Sequence, residues 1–310
     1  MIGVLNSKDL YIKVNILFGN MEIRNVQRTG NMHYVYLPTN WCKKHNINSD
    51  SKIFLENLSD GKLVLTAESK EKEKKHIELK VNEEDSEIIH KLIVASYINP
   101  LASFKITLDK EMNIGKLLDQ KKLISIESVE LDGKTITCES NIMVSDPKAI
   151  LKTMVNKIKN LIIILKDNYN KELVERYEEE IDRSKLLIDK AVIAFFTNNQ
   201  TFNQKPIELY YISILVKDLE RMVDHLIQLG AKEKSFFEEV QEPINLLKKL
   251  LDEPNELTHE NAIVFAKSTL KIKESKQGTE NSYLKERIRQ LLINNSEVIL
   301  DWEITGMIDN

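Results

Sequence analysis

The chain has 310 residues, ample for two or three domains with real cores. Its 44 basic and 48 acidic residues give a net charge of −4, which excludes a uniformly basic nucleic-acid coat but allows one small basic surface. A hydrophobic content of 42% is too high for disorder, and 9 Gly with 6 Pro is too few breakers for a strand-rich sandwich. Two cysteines, Cys42 and Cys138, lie far apart in sequence. They offer neither a disulfide framework nor a cysteine zinc site, and such usage suits a reducing cytoplasm.

Residues 1–20 read as an extension. Lys8, Asp9 and Lys13 interrupt the apolar stretch of a signal peptide, and the first well-formed strand pattern starts at Met21. Residues 21–69 form a β-rich unit. A strand is expected over Met21–Val26, a turn over Gln27–Met32, and a strand over His33–Leu37. Pro38 then opens a short helix from Thr39 to His45. Two further strands, Ile53–Leu55 and Lys62–Leu65, flank the hairpin signal Ser59-Asp60-Gly61. Four short strands around one short helix make a marginal core, so a second copy of the chain is implied, with Trp41 and Tyr34 packing the core.

Glu68–Lys75 is a charged linker. Residues 76–141 read as a small α+β connector. A helix over Glu83–Ser96 carries the face Ile88, Leu92 and Ala95, a strand follows at Phe104–Leu108, and a helix at Asn113–Lys122. A hairpin then joins Ile124–Leu131 to Lys134–Glu139 through Asp132-Gly133.

From 145 to 305 the pattern is helical. Ser145-Asp146-Pro147 is a start signal. The first helix places Leu151, Met154, Ile158, Leu161 and Leu165 on one seam. The second, over 171–198, does so with Tyr177, Ile181, Ser184, Ile188, Ala191 and Phe195. The third, over 205–230, uses Ile212, Leu215, Leu219, Met222, Leu226 and Leu229, and Gly230 ends it. Helices at 234–252, 258–275 and 280–304 complete a pattern of three plus three, as in a duplicated unit. The longest apolar run in these helices is Leu161–Leu165, where a membrane span needs about 20 residues, so no membrane insertion is expected.

Two constellations carry chemistry. In residues 21–67, six basic residues, among them Arg24, Arg28, Lys43 and Lys44, stand against four acidic ones. They read either as a modest phosphate-contacting footprint or as the solvated face of a dimerisation module. In the bundle, Glu178 and Asp182 are four apart on one helix, and Glu220 and Asp224 four apart on the next, each pair about 6 Å along the axis and one residue off its seam. If the helices are antiparallel neighbours, the four carboxylates converge. An all-oxygen cluster suits a hard or borderline cation such as magnesium, manganese or iron. The other reading is two solvated acidic faces, with Asp182 paired to Lys185 and Glu220 to Lys217. His225 reads as a polar histidine at the bundle edge. The other histidines make no ligand spacing, and no phosphate loop or nucleophile–base pair is present, so no enzymatic activity is expected.

The string Arg24-Asn25-Val26-Gln27-Arg28-Thr29-Gly30, followed by Tyr34-Val35-Tyr36-Leu37-Pro38-Thr39-Asn40-Trp41, is similar to the AbrB/SpoVT swapped-hairpin domain. Asn25 stands where that pattern usually has a lysine, and Ser49-Asp50 where it usually has Gly-Asp. The stretches Glu178–Arg183 and Asp218–His225 resemble the E(D)xxxD and LERxxDH motifs of PhoU. Together the chain resembles an archaeal-type phosphate-uptake regulator: AbrB-like head, α+β connector, PhoU-like bundle. The resemblance implies an α+β multidomain fold, a homodimer and DNA binding through Arg24, Arg28, Lys43 and Lys44. It also implies a multinuclear metal cluster, often iron or zinc, on Glu178, Asp182, Glu220 and Asp224. The alternative role is an adaptor that dimerises through its head and controls a phosphate transporter or a signalling kinase. Glu286-Arg287-Ile288-Arg289-Gln290 echoes the third-helix motif without its second carboxylate, so at most one cluster per chain is expected.

Overall fold

The structure is a computed structural model that describes residues 23–57, 61–67, 76–99, 103–111, 129–139, 144, 146–198, 205–253, 255–275 and 278–308. The fold is mixed α+β with small sheets and a helical C-terminal region. The chain divides into two compact units, Met1–Glu73 and Lys74–Asn310. The expected extension at 1–20, the charged linker over 68–75 and the helix at 113–122 lie outside the described residues.

The first unit contains two separate hairpins and one short helix. β1 (Gln27–Thr29) pairs with β2 (Met32–Tyr34), Thr29 opposite Met32. The two-residue loop starts at Gly30, whose φ of +62° a side chain would resist. The hairpin therefore centres on Gly30-Asn31. Residues 23–26, expected as a strand, join no ladder, and Gln27–Thr29, expected as a turn, is the strand instead. A glycine that can take the tight-turn conformation decided the register over the β-propensity of its flanks. α1 (Thr39–Lys44) starts from Pro38, which stands at the cap position rather than the first turn; its carbonyl accepts the Cys42 N–H at 3.0 Å. β3 (Phe54–Asn57) pairs antiparallel with β4 (Leu63–Thr66), Leu55 opposite Leu65. None of the described residues of this unit is buried. Trp41 is half-buried and lies 5.3 Å from the His45 ring, and Tyr34 is exposed. Among the described residues, the expected small core is therefore absent within one copy of the unit.

In the second unit a strand that the sequence reading missed, β5 (His76–Val81), runs parallel to β6 (Ser103–Leu108). α2 (Ser86–Ile98) crosses between them. It is capped by Asp85, whose carboxylate accepts the Glu87 N–H at 2.8 Å. β7 (Val129–Asp132) and β8 (Thr135–Glu139) form the expected hairpin, and β8 docks on β6, giving the order β5-β6-β8-β7. The register aligns Ile77, Leu79 and Val81 with Phe104, Ile106 and Leu108 on one face. Strict alternation in His76–Val81 carried this signal. α2 covers that face with Ile89, Ile93 and Tyr97, one residue round from the expected Ile88, Leu92 and Ala95; Ile88 and Ala95 are exposed. Ile89, Ile93 and Tyr97 form a complete i, i+4, i+8 stripe that ends in the largest side chain. It buries more apolar area than the stripe ending in Ala95.

Six helices follow. α3 (Pro147–Asp167) has Asp146 as cap, its carboxylate accepting the Ala149 N–H at 3.0 Å. α4 (Lys171–Asn198) turns back along it, and Lys157 meets Glu180 at 3.3 Å. α5 (Pro206–Leu229) packs on α4 and ends at Gly230, with φ +67°. α6 (Lys234–Asp252) lies antiparallel to α3, tied by Lys166 to Gln241 (3.0 Å) and by Lys152 to the Asp252 carbonyl (3.2 Å). α7 (His259–Leu270) and α8 (Glu280–Ile308) close the bundle. α8 runs antiparallel along α5: Tyr211 meets Thr305 at 2.7 Å and stacks on Trp302, while Asp218 bonds Asn294. Every seam residue expected on α3 and α5 is buried. One continuous apolar cluster joins all six helices, and a second fills the space between α2 and the sheet.

Candidate metal centre

α4 and α5 bring three carboxylates together. Each of Asp182, Glu220 and Asp224 offers an oxygen within 4.8 Å of one from each of the others. Asp182 and Glu220 are only 9% and 7% exposed, and Asp224 is half-buried. The geometry follows from the periodicity. Ile181 and Leu219 are on the buried seams of their helices, so Asp182 and Glu220, one residue on, sit at the seam's rim, where two packed helices put their rims face to face. Asp224 joins from the next turn of α5.

Glu178 stands one turn before Asp182 on α4, half-buried and outside this group. Lys185, considered as a partner for Asp182, reaches Asp189 at 3.4 Å. Burial pushes the Asp189 carboxyl above the ordinary carboxylate range. Lys185 and Lys217 oppose that rise, and the nearby charge of Glu220 adds to it. Asp189 is thus a fourth acidic group at the edge of the cluster, one that sequence reading missed because no motif spacing marks it. Asp218 faces the other way, toward α8. Burial raises its carboxyl, against the pull of Arg221, Asn294, Lys217 and Arg287.

His225 is not in the group either. It is half-buried, its Nδ1 has no hydrogen-bond partner among the described residues, and burial together with Arg287 lowers its pKa. Among the described residues one such acidic group occurs. The second half of the bundle carries Arg289 on α8. It meets Glu286 at 2.8 Å and Glu274 at 3.3 Å, and donates to the Ile272 carbonyl.

The donors fit a cation. Three carboxylates supply only hard oxygen ligands, the donor set that hard cations take. No cysteine or histidine among the described residues joins them, which favours magnesium, manganese or iron over zinc.

In the first unit Arg24, Arg28, Lys43 and Lys44 are all exposed. Arg28 is on β1, where its Nε donates to the Gly30 carbonyl at 2.9 Å, and Lys43 and Lys44 are on the last turn of α1. In the same unit Met32, Tyr36 and Leu55 are each more than 60% exposed.

No family model, curated protein or solved structure matches this chain. Among the described residues, no helix is long and apolar enough to cross a membrane.

Proposed function

We propose that the chain is a cation-responsive regulator of phosphate uptake, with a PhoU-like bundle as sensor and an AbrB-like head that dimerises and binds DNA. The observation that carries this reading is the meeting of Asp182, Glu220 and Asp224 from two helices. Glu220 and Asp224 stand in the stretch that resembles the PhoU third-helix motif, and Asp182 in the stretch that resembles its second. The unburied head supports the dimer. Hairpins with apolar side chains on the surface and no core of their own gain stability by packing against a second copy. Arg24 just before β1, Arg28 on β1, and Lys43 and Lys44 on α1 supply the phosphate contacts. The regulator works in the cytoplasm, where its DNA is.

Metal binding is tested on chelator-stripped protein. Manganese, iron, zinc or magnesium should raise its melting temperature, by about 2.7 kcal/mol of stability at a hundredfold excess over Kd. The triple variant Asp182→Asn, Glu220→Gln, Asp224→Asn should lose that response while its metal-free stability stays level or rises. A melting temperature that ignores all four metals leaves the group as a lysine-balanced acidic rim.

DNA binding is tested with a duplex taken from upstream of the chain's own gene, at two salt concentrations. Arg24→Ala with Arg28→Ala should weaken binding and flatten the log–log salt slope by about 0.9 for each phosphate no longer neutralised. Salt-insensitive or absent binding by the wild type assigns the head to dimerisation alone. The bundle is then an adaptor acting on a phosphate transporter or signalling kinase.

A further inference from the structure

β5 is an edge strand. Among the described residues it pairs only with β6, and its other side is open. The Val81 carbonyl accepts the N–H of Asp109, just past β6, at 3.3 Å. Backbone groups alternate sides along a strand. Ile77, Leu79 and Val81 therefore bond β6, while His76, Glu78 and Lys80 turn their N–H and C=O groups to the open edge. The apolar face is unfinished along the same edge: Leu79 and Val81 are only partly covered, and Ile77 is 39% exposed. Glu78 and Lys80 are exposed on the opposite face.

We propose that β5 pairs antiparallel with β5 of a second copy of the chain, across a two-fold axis at Leu79, joining two sheets edge to edge. The charge pattern selects both the occupant and the register. With Leu79 opposite the partner's Leu79, Glu78 falls opposite the partner's Lys80, and Lys80 opposite the partner's Glu78. On the face that α2 covers, Ile77 meets the partner's Val81. Opposite charges and apolar residues directly across an antiparallel pair are both stabilising. Glu78 and Lys80 are also residues whose backbone groups are open, so the two can exchange both of their bonds. The smallest slip that keeps every side chain on its face is two residues. It centres the pairing on Glu78 or on Lys80 and sets like charges opposite each other. The other edge of the sheet makes the contrast. β7 is four residues long, and its exposed charges, Glu130 and Asp132, are both acidic, so pairing that strand with its own copy is repulsive. A single pair of six-residue strands is a small contact beside an interface that is stable by itself. It works within the dimer proposed for the head and rests on that reading.

Charge reversal in the full chain tests the pairing. Lys80→Glu or Glu78→Lys sets like charges opposite at both symmetric positions and should raise the dimer dissociation constant about tenfold, read by sedimentation. Glu78→Lys with Lys80→Glu restores opposite charges and should return it to within about threefold of the wild type. Both side chains are exposed, so these variants keep the fold. The register is read by cross-linking in a Cys42→Ser background, with Cys138 left in place at 1% exposure. Leu79→Cys should oxidise to a disulfide-linked dimer, because residues on the axis lie about 4.5 Å apart between Cα atoms. Glu78→Cys and Lys80→Cys, displaced from the axis, should cross-link at least about tenfold more slowly. If the wild type is a dimer that neither single reversal weakens, or if the double variant is as weak as the singles, the β5 pairing is wrong and the head's dimer stands. Equal cross-linking at all three positions overturns it too. A dimer that survives Leu55→Asp with Leu65→Asp but weakens with Lys80→Glu keeps the β5 pairing and removes the head's. A wild type that stays monomeric removes both. Should Leu79→Cys fail to fold, the charge reversals decide.

Discussion

The head and the bundle spend their apolar residues in opposite ways. In the bundle, Leu, Ile, Val and Phe at helical spacing vanish into one cluster, and what remains outside is mostly charged or polar. In the head, residues equally apolar stay on the surface, because two hairpins and a six-residue helix cannot enclose them. Both regions are patterned for burial, but only the bundle buries its pattern within one chain. The proposed dimer would couple the head's stability to association and leave the bundle's independent of it.

The sharpest break of that contrast is a cavity in the bundle. Phe265 on α7 is 0% exposed. Phe265→Ala should cost about 3–5 kcal/mol, read as a lower denaturation midpoint independent of protein concentration. A concentration-dependent loss would mean the bundle, too, folds by association. In the head, Leu55 and Leu65 are cross-strand neighbours on an exposed face. Leu55→Asp with Leu65→Asp should raise the dimer dissociation constant about a hundredfold, visible by sedimentation as monomer, with the bundle's melting unchanged. A wild type that sediments as a monomer would refute the association argument outright.

The smallest effect has the opposite sign. Asn295 on α8 is 0% exposed, and neither atom of its amide has a hydrogen-bond partner among the described residues. Asn295→Leu should stabilise the bundle by about 1–2 kcal/mol, since it removes an unmet desolvation cost and roughly keeps the volume. A loss of stability on thermal melting would show that Asn295 is satisfied by an internal water.

Some of this architecture was legible residue by residue. The start of α3 at Pro147, the end of α5 at Gly230 and the seams of both helices follow from capping chemistry and a 3.6-residue period. Both are local properties of the backbone. The same locality put Glu220 and Asp224 on one rim. It failed where two local solutions competed, as on α2, whose neighbouring stripes are both apolar. It failed again at Gly30, where turn geometry outweighed strand propensity.

What the sequence by itself determined is thus the content of each element: its ends, its apolar face, and which charged side chains share its rim. Tertiary structure alone decided which elements meet and at what level. Glu178 and Asp182 share a face of α4 and look alike in sequence, yet only Asp182 is level with Glu220 and Asp224, because the offset between two helices is set by how their side chains interlock. Lys190 reads as a solvated lysine from its neighbours in the chain. It is buried only because α2, contributed by residues almost a hundred positions earlier, presents a carbonyl and an aromatic ring there. Periodicity fixes geometry within an element, whereas the alignment of one element against another is the outcome of long-range packing, which no local pattern encodes.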